Sequence, residues 1–276
     1  VLNALPKTAL APIIIVWAGA GIQGIVVTAV TISVVVTILS AYNYFINVDE
    51  EKIKEFSPRN HQQKKKLKEI NVPFVLSTIA IAGDVDKNLY SSVCVDDKNE
   101  SEKVVNFLCD QGHTKIAILA AGKSDQSISK LRIQGYRNAL INRNIPINEN
   151  LIRHTDNNEN IQIIKNGYKL MKELLASGEE FTAVYSISDS MAIGASKAIL
   201  ESGKRIPQDY SIVGFDGLDM TYYYNPSITT IRQPVEEMAR ETTKILFDLI
   251  NKKTKNQHRV FEGELIVRES TSKLRK

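Results

Sequence analysis

Five side chains in this sequence have the types and positions needed to hold a small polar molecule: Asp96, Arg132, Asp189, Asp216 and Gln233. Asp216 closes the apolar run Ser211–Phe215, which is fed by a proline turn at Ile206–Pro207. Open α/β sheets place their ligands outside the carboxyl ends of the strands, so a lone carboxylate ending a buried strand is well sited for a polar partner. Asp96 and Asp189 follow two other strand patterns, and Arg132 flanks a third. A second extended run from Pro226 delivers Gln233 just before Pro234, where a helix begins. A carboxylate accepts hydrogen bonds from two neighbouring hydroxyls, and a guanidinium donates in a planar fork. That mixture suits a sugar or a nucleoside better than a lipid. Simpler roles compete for three of the five. Asp96 and Asp189 each precede a helix and have the type of an N-cap, and Arg132 also reads as a surface helix residue. Asp216 is the hardest to explain as a cap, because no strong helix follows it.

The elements that must position these groups are legible from Val72 onward. Strand patterns cover 72–76, 92–95, 116–121, 184–187 and 211–215, and a final strand is expected over 260–267. Between them, apolar residues recur at helical spacing. Val104, Val105, Leu108 and Cys109 mark one helix, which Gly112 ends. Ile128, Leu131, Tyr136, Ala139 and Leu140 mark the next. Met191, Ala195, Ala198 and Ile199 form a third, closed by Gly203, and Val235 to Leu249 a fourth. Near-continuous apolar strands alternating with helices argue a doubly wound parallel sheet covered on both faces.

The 276 residues are 43% hydrophobic and 24% charged, as in a soluble globular protein of one large or two ordinary domains. A net charge of +4 without a basic stripe gives little support for direct nucleic-acid binding. Lys64-Lys65-Lys66 reads as a solvated helix face. Cys94 and Cys109 do not make a disulfide framework and read as core thiols in a reducing cytoplasm. The stretch Thr8–Val48 holds no charged residue, which admits a buried strand–helix–strand core or a membrane segment. Within it Gly19-Ala-Gly-Ile-Gln-Gly24 has the spacing of a dinucleotide-binding turn, but the acidic partner expected roughly 20 residues on is not there. No zinc spacing, phosphate loop or nucleophile elbow appears, so no cofactor, metal or catalytic residue is assigned.

Several stretches in the right order resemble the LacI/GalR family of transcription regulators. They are Gly112-His-Thr-Lys-Ile-Ala-Ile-Leu119, Leu131-Arg-Ile-Gln-Gly-Tyr-Arg-Asn-Ala-Leu140, Ile187-Ser-Asp-Ser-Met-Ala-Ile-Gly-Ala195, and the pair Asp216 and Gln233. The resemblance spans roughly Val72 to Ser270. It implies an α/β fold of two doubly wound parallel-sheet lobes, like a type I periplasmic binding protein, joined by crossover strands. Residues 1–114 with 233–254 would form one lobe, and 115–232 with 255–276 the other. It further implies Arg132 and Asp216 as effector contacts, assisted by Asp189, Asp96 and Gln233. Ser188 stands where the family often has Asn.

The first third departs from that pattern. The helix expected there, Gly24 to Ser40, is uncharged and β-branched, and the stretch before Val72 is short by about one βα unit. No stretch before Pro12 has room for a trihelical DNA-reading headpiece. The resemblance therefore implies the effector-binding and dimerising core of a sugar-responsive regulator, cytoplasmic and with no membrane partner. A homodimer would meet operator DNA only through a headpiece outside this chain. The rival readings are an exported or membrane-associated solute receptor and a dinucleotide-binding enzyme.

Overall fold

Strand composition decides the architecture. In the computed structural model, which describes residues 73–78, 86–122, 128–155 and 163–274, two sheets form. All of these residues fall within the compact unit 59–276. The larger sheet contains β3 (Ile116–Ala120), β4 (Ile152–His154), β5 (Ala183–Ser186), β6 (Ser211–Asp216), β7 (Thr229–Arg232) and β9 (Glu264–Ile266). Its order is β4-β3-β5-β6-β7-β9, parallel throughout except for the antiparallel edge strand β9. β3 and β5 are buried along their whole length, as a parallel sheet covered on both faces requires. The smaller sheet is the parallel set β1 (Val75–Ser77), β2 (Ser91–Val95) and β8 (His258–Phe261), in the order β1-β2-β8.

Helices α1 (Asp97–Asp110), α2 (Ile128–Asn142), α3 (Ile163–Ala176) and α4 (Asp189–Glu201) accompany the larger sheet, and the single turn α5 (Met220–Tyr223) follows β6. Val104, Val105, Leu108, Tyr136, Leu170, Met171, Leu174 and Ile199 join the strand side chains in one core. A separate small core of Val93, Val95, Met238 and Ile245 seats α6 (Val235–Ile250) on the smaller sheet. The helix stop expected at Gly112 is a Schellman turn. Gly112 takes φ 94°, its N–H donates to the Cys109 carbonyl, and the His113 N–H donates to that of Leu108. The His113 ring then hydrogen-bonds Thr182 Oγ1 at 2.8 Å and the Ser272 carbonyl at 3.1 Å, tying the helix end to the C-terminal segment.

Three expectations are corrected. The final strand is two strands, and the chain passes from the smaller to the larger sheet between Phe261 and Glu264. Residues 97–110, expected in the first lobe, lie with the larger sheet because α1 buries Val104, Val105 and Leu108 in its core. Residues 258–261, expected in the second lobe, lie with the smaller sheet because β8 hydrogen-bonds along β2. Two elements of the larger sheet's layer, β4 and α3, had no counterpart in the strand and helix patterns read above. The uncharged stretch Thr8–Val48, the glycine pattern at 19–24 and the Lys64-Lys65-Lys66 run lie outside the described residues. Among the described residues no helix is long and apolar enough to cross a membrane.

Candidate functional site

The chain passes between the two sheets at Asp96, at Gln233–Pro234 and at Glu262–Gly263, and the expected site residues gather at these passages. The centre is the end of β6. Asp216 sits at φ 128°, a backbone region that side-chain-bearing residues rarely adopt. Such a conformation costs on the order of 1–3 kcal/mol and persists only where its surroundings enforce it.

Asp189, the first residue of α4, supplies the enforcement. Its Oδ2 accepts from the backbone N–H groups of Gly217 (2.8 Å) and Leu218 (2.7 Å), and its Oδ1 accepts from Thr230 Oγ1 (2.6 Å). The carboxylate can come this close because Gly214 has no side chain: a Cβ there would lie 2.2 Å from Asp189 Oδ1. Gly217 is required for a different reason, having φ 81° and no room for a Cβ against Arg232. Asp189 has no exposed surface. It is therefore removed from direct contact with a ligand and holds the turn that presents Asp216. Burial raises its pKa, against the hydrogen bonds from Thr230 and the two amides.

Arg132 reaches the same place from α2. It is buried, and its guanidinium carbon stands over the Phe215 ring, 3.5 Å from the centroid. Nε and Nη2 contact Asp97 Oδ1 at 2.8 and 2.7 Å, and Nη1 donates to the Ile187 carbonyl. Nη1 also stands 3.6 Å from Asp216 Oδ1. Gln233 completes the group, donating from Nε2 to Asp216 Oδ1 at 3.0 Å and from its backbone N–H to the Asp216 carbonyl. The structure thus brings Asp216, Arg132 and Gln233 together. The Asp216 side chain retains 29% of its surface, against 6% for Arg132, so the carboxyl is the more accessible of the two.

Desolvation dominates the electrostatics here. It pushes the Asp216 carboxyl up to about 6, with the nearby Arg132 cation pulling down and the Asp189 carboxylate adding to the rise. Asp97 is likewise raised by burial in spite of its pairing with Arg132. Burial also raises the phenol of Tyr185, whose hydroxyl sits 2.6 Å from Ser101 Oγ beneath the site.

The remaining expected residues are caps. Asp96 is the N-cap of α1, with Oδ1 accepting from the Asn99 N–H (3.1 Å) and Oδ2 from Asn99 Nδ2 (2.7 Å). Ser188 is the N-cap of α4, its Oγ accepting from the Met191 N–H at 3.2 Å. Both are half-buried, Asp96 after β2 of the smaller sheet and Ser188 after β5 of the larger. Sequence reasoning missed the ionic role of Asp97, since that role depends on α1 and α2 packing side by side. The one available signal was the doublet Asp96-Asp97, where a helix cap needs a single acid.

A family model described as periplasmic binding protein-like domain matches residues 105–271. The HTH-type transcriptional regulator MalR of Clostridium butyricum is 36% identical over 208 residues, covering 75% of this chain and 60% of its own length. Among solved structures, a LacI family transcriptional regulator from Enterococcus faecium with bound ribose is 28% identical, with a TM-score of 0.65 over 77% of this chain and 75% of that one. The regulator CelR in complex with cellobiose is 30% identical, with a TM-score of 0.69 over 77% and 63%. This chain spans about 60% of the curated relative it matches. Matched over more than half its length by that family model and sharing its fold with these regulators, the chain belongs to the periplasmic-binding-protein-like family, in the form found in LacI-family proteins.

Proposed function

We propose that this chain is the effector-sensing core of a sugar-responsive transcriptional regulator. The observation that carries the reading is the meeting of Asp216, Arg132 and Gln233 where the chain passes between the sheets. A carboxylate with exposed surface, fixed by a strained turn, accepts from ligand hydroxyls, and the forked guanidinium beside it donates back. The solved relatives with ribose and with cellobiose support a sugar in this role. Two lobes divide the work, one built on β1, β2, β8 and α6 and the other on the larger sheet with α1 to α5. Ligand bound across the passages favours one setting of the lobes. In a homodimer that setting is relayed to DNA-reading headpieces, and ligand and operator affinities change each other by the same factor. The compartment is the cytoplasm, where operator DNA is.

Calorimetric titration of the protein against a panel of pentoses, hexoses and disaccharides tests the reading, with Asp216→Ala as the control. At least one sugar is expected to bind, with an affinity reduced tenfold or more in the variant. Equal binding by both proteins would remove Asp216 from the site.

A further inference from the structure

The charge around Arg132 is unbalanced, and the imbalance bears on which ligands the site admits. One guanidinium faces two carboxyl groups, Asp97 at 2.7 Å and Asp216 at 3.6 Å. Asp189 lies behind Asp216 without a cation of its own in hydrogen-bond contact, its partners being two amides and a threonine hydroxyl. Asp96 stands next to Asp97 and is capped by Asn99, a neutral side chain. Glu100, buried one turn further along α1, is matched by Lys103. Of the other cations nearby, Arg232 pairs with Glu264, and Arg268 hydrogen-bonds Thr221 and the Ile228 carbonyl and reaches Asp189 only through space, which leaves the group around Arg132 with the acidic excess.

Hydrogen-bond polarity points the same way. A carboxylate only accepts, so whatever meets Asp216 must present O–H or N–H groups. Three of the guanidinium's five N–H groups are taken by Asp97 and the Ile187 carbonyl, leaving a small share for an acceptor on the ligand. An anionic ligand group would meet one partly committed cation and two carboxyl groups in a site of low dielectric, where like charges repel strongly.

We infer that the effector carries no net negative charge: it is a neutral polyol or a cationic amino sugar, and not a uronic acid or a sugar phosphate. This rests on the sugar-binding reading above and narrows it.

The test is a calorimetric comparison, on the intact protein, of frames that differ only in charge. Suitable sets are ribose with ribose 5-phosphate, glucose with glucosamine, glucuronate and glucose 6-phosphate, and galactose with galacturonate. In any frame that binds, the neutral or amino form is expected to be at least tenfold tighter than its acid or phosphate. An acid or phosphate binding as tightly as its neutral parent, or more tightly, overturns the inference while leaving a sugar site in place. No binding in any frame overturns both. Asp97→Asn adds an independent arm, because it removes one charge and keeps the shape and an acceptor oxygen. Its neutral-to-anion affinity ratio is expected to fall several-fold in protein whose melting curve shows it folded. An unchanged ratio would mean that the acidic excess does not set the preference.

Discussion

Replacing Asp216 separates the strain at the end of β6 from the chemistry of its side chain. At φ 128° any residue with a Cβ is strained by on the order of 1–3 kcal/mol, and glycine is not. Asp216→Ala retains that strain and loses the hydrogen bond from Gln233, about 1 kcal/mol. Asp216→Gly loses the same bond and relieves the strain. Arg132 keeps Asp97 in either variant, so no buried cation is left unpaired. Glycine is therefore expected to be the more stable replacement by about 1–3 kcal/mol. Elsewhere in a strand glycine is the worse by roughly 0.5–1 kcal/mol. At about 2–4 °C per kcal/mol for a chain of this size, the two melting temperatures should differ by several degrees. Urea unfolding of both variants, with the slopes compared, measures the difference directly. Both should bind sugar at least tenfold more weakly than the unaltered protein. A glycine variant less stable than the alanine variant would refute the claim that this turn is held against its backbone preference.

Three further outcomes are expected. Asp189→Ala should destabilise the protein by on the order of 3 kcal/mol, because it strands the N–H groups of Gly217 and Leu218. It should also weaken sugar binding with Asp216 intact, with partial recovery in Asp189→Asn, as titration and melting on the same samples would reveal. The pH dependence follows from the Asp216 carboxyl lying near 6, above its unfolded value of about 3.9. The folded state then holds the proton more tightly, so this group's contribution to stability is most favourable below pH ~4, falls by at most about 3 kcal/mol as pH rises through ~4–6, and is flat above. Asp97 and Asp189 act in the same direction, so Asp216→Asn should flatten the measured slope in part. Sugar affinity should run the opposite way, tightening as pH rises through 6, since the carboxylate is the better acceptor. Last, Arg132→Ala should cost about 3–5 kcal/mol by leaving Asp97 buried and unpaired, and Arg132→Ala with Asp97→Asn should recover much of that, as a double-mutant cycle would show.

Much of the site was readable from strand ends. Asp216 stood out because the strand pattern Ser211–Phe215, with Ile212, Val213 and Phe215 apolar, precedes it and no helix pattern follows, and Gln233 because Pro234 stops a strand just after it. Asp189 was harder. A carboxylate after a strand and before a helix looks like a cap from sequence, whereas here Ser188 caps and Asp189 turns back to hold another strand's end. That reversal depends on Gly214, a missing side chain on a different strand. The pairing of Arg132 with Asp97 was hidden for a similar reason, since it is made by two helices lying together. The split of the final strand did carry a signal: Glu262-Gly263-Glu264 interrupts the apolar run between Phe261 and Leu265, and a glycine inside a strand pattern marks a bulge or break, though not that the backbone changes sheets. The helix at 163–176 was missed although Leu170, Met171 and Leu174 do mark a buried side, because its first turn shows Ile163 and Ile164 to solvent.

The three places where the backbone moves from one sheet to the other are only one or two residues long, and they are stitched to their surroundings. The Asp96 amide donates to the Phe261 carbonyl, and Gln233 is bonded twice to Asp216. A bundle of three short cords fastened in this way resists twisting as a unit. Under the proposed function, torque applied by a molecule gripping Asp216 would be delivered straight into these links. Changes to the links themselves, such as a larger residue at Gly263 or a longer link at 262, should alter how far the halves turn for the same grip. Sensitivity would then be tuned at residues that never touch the sugar.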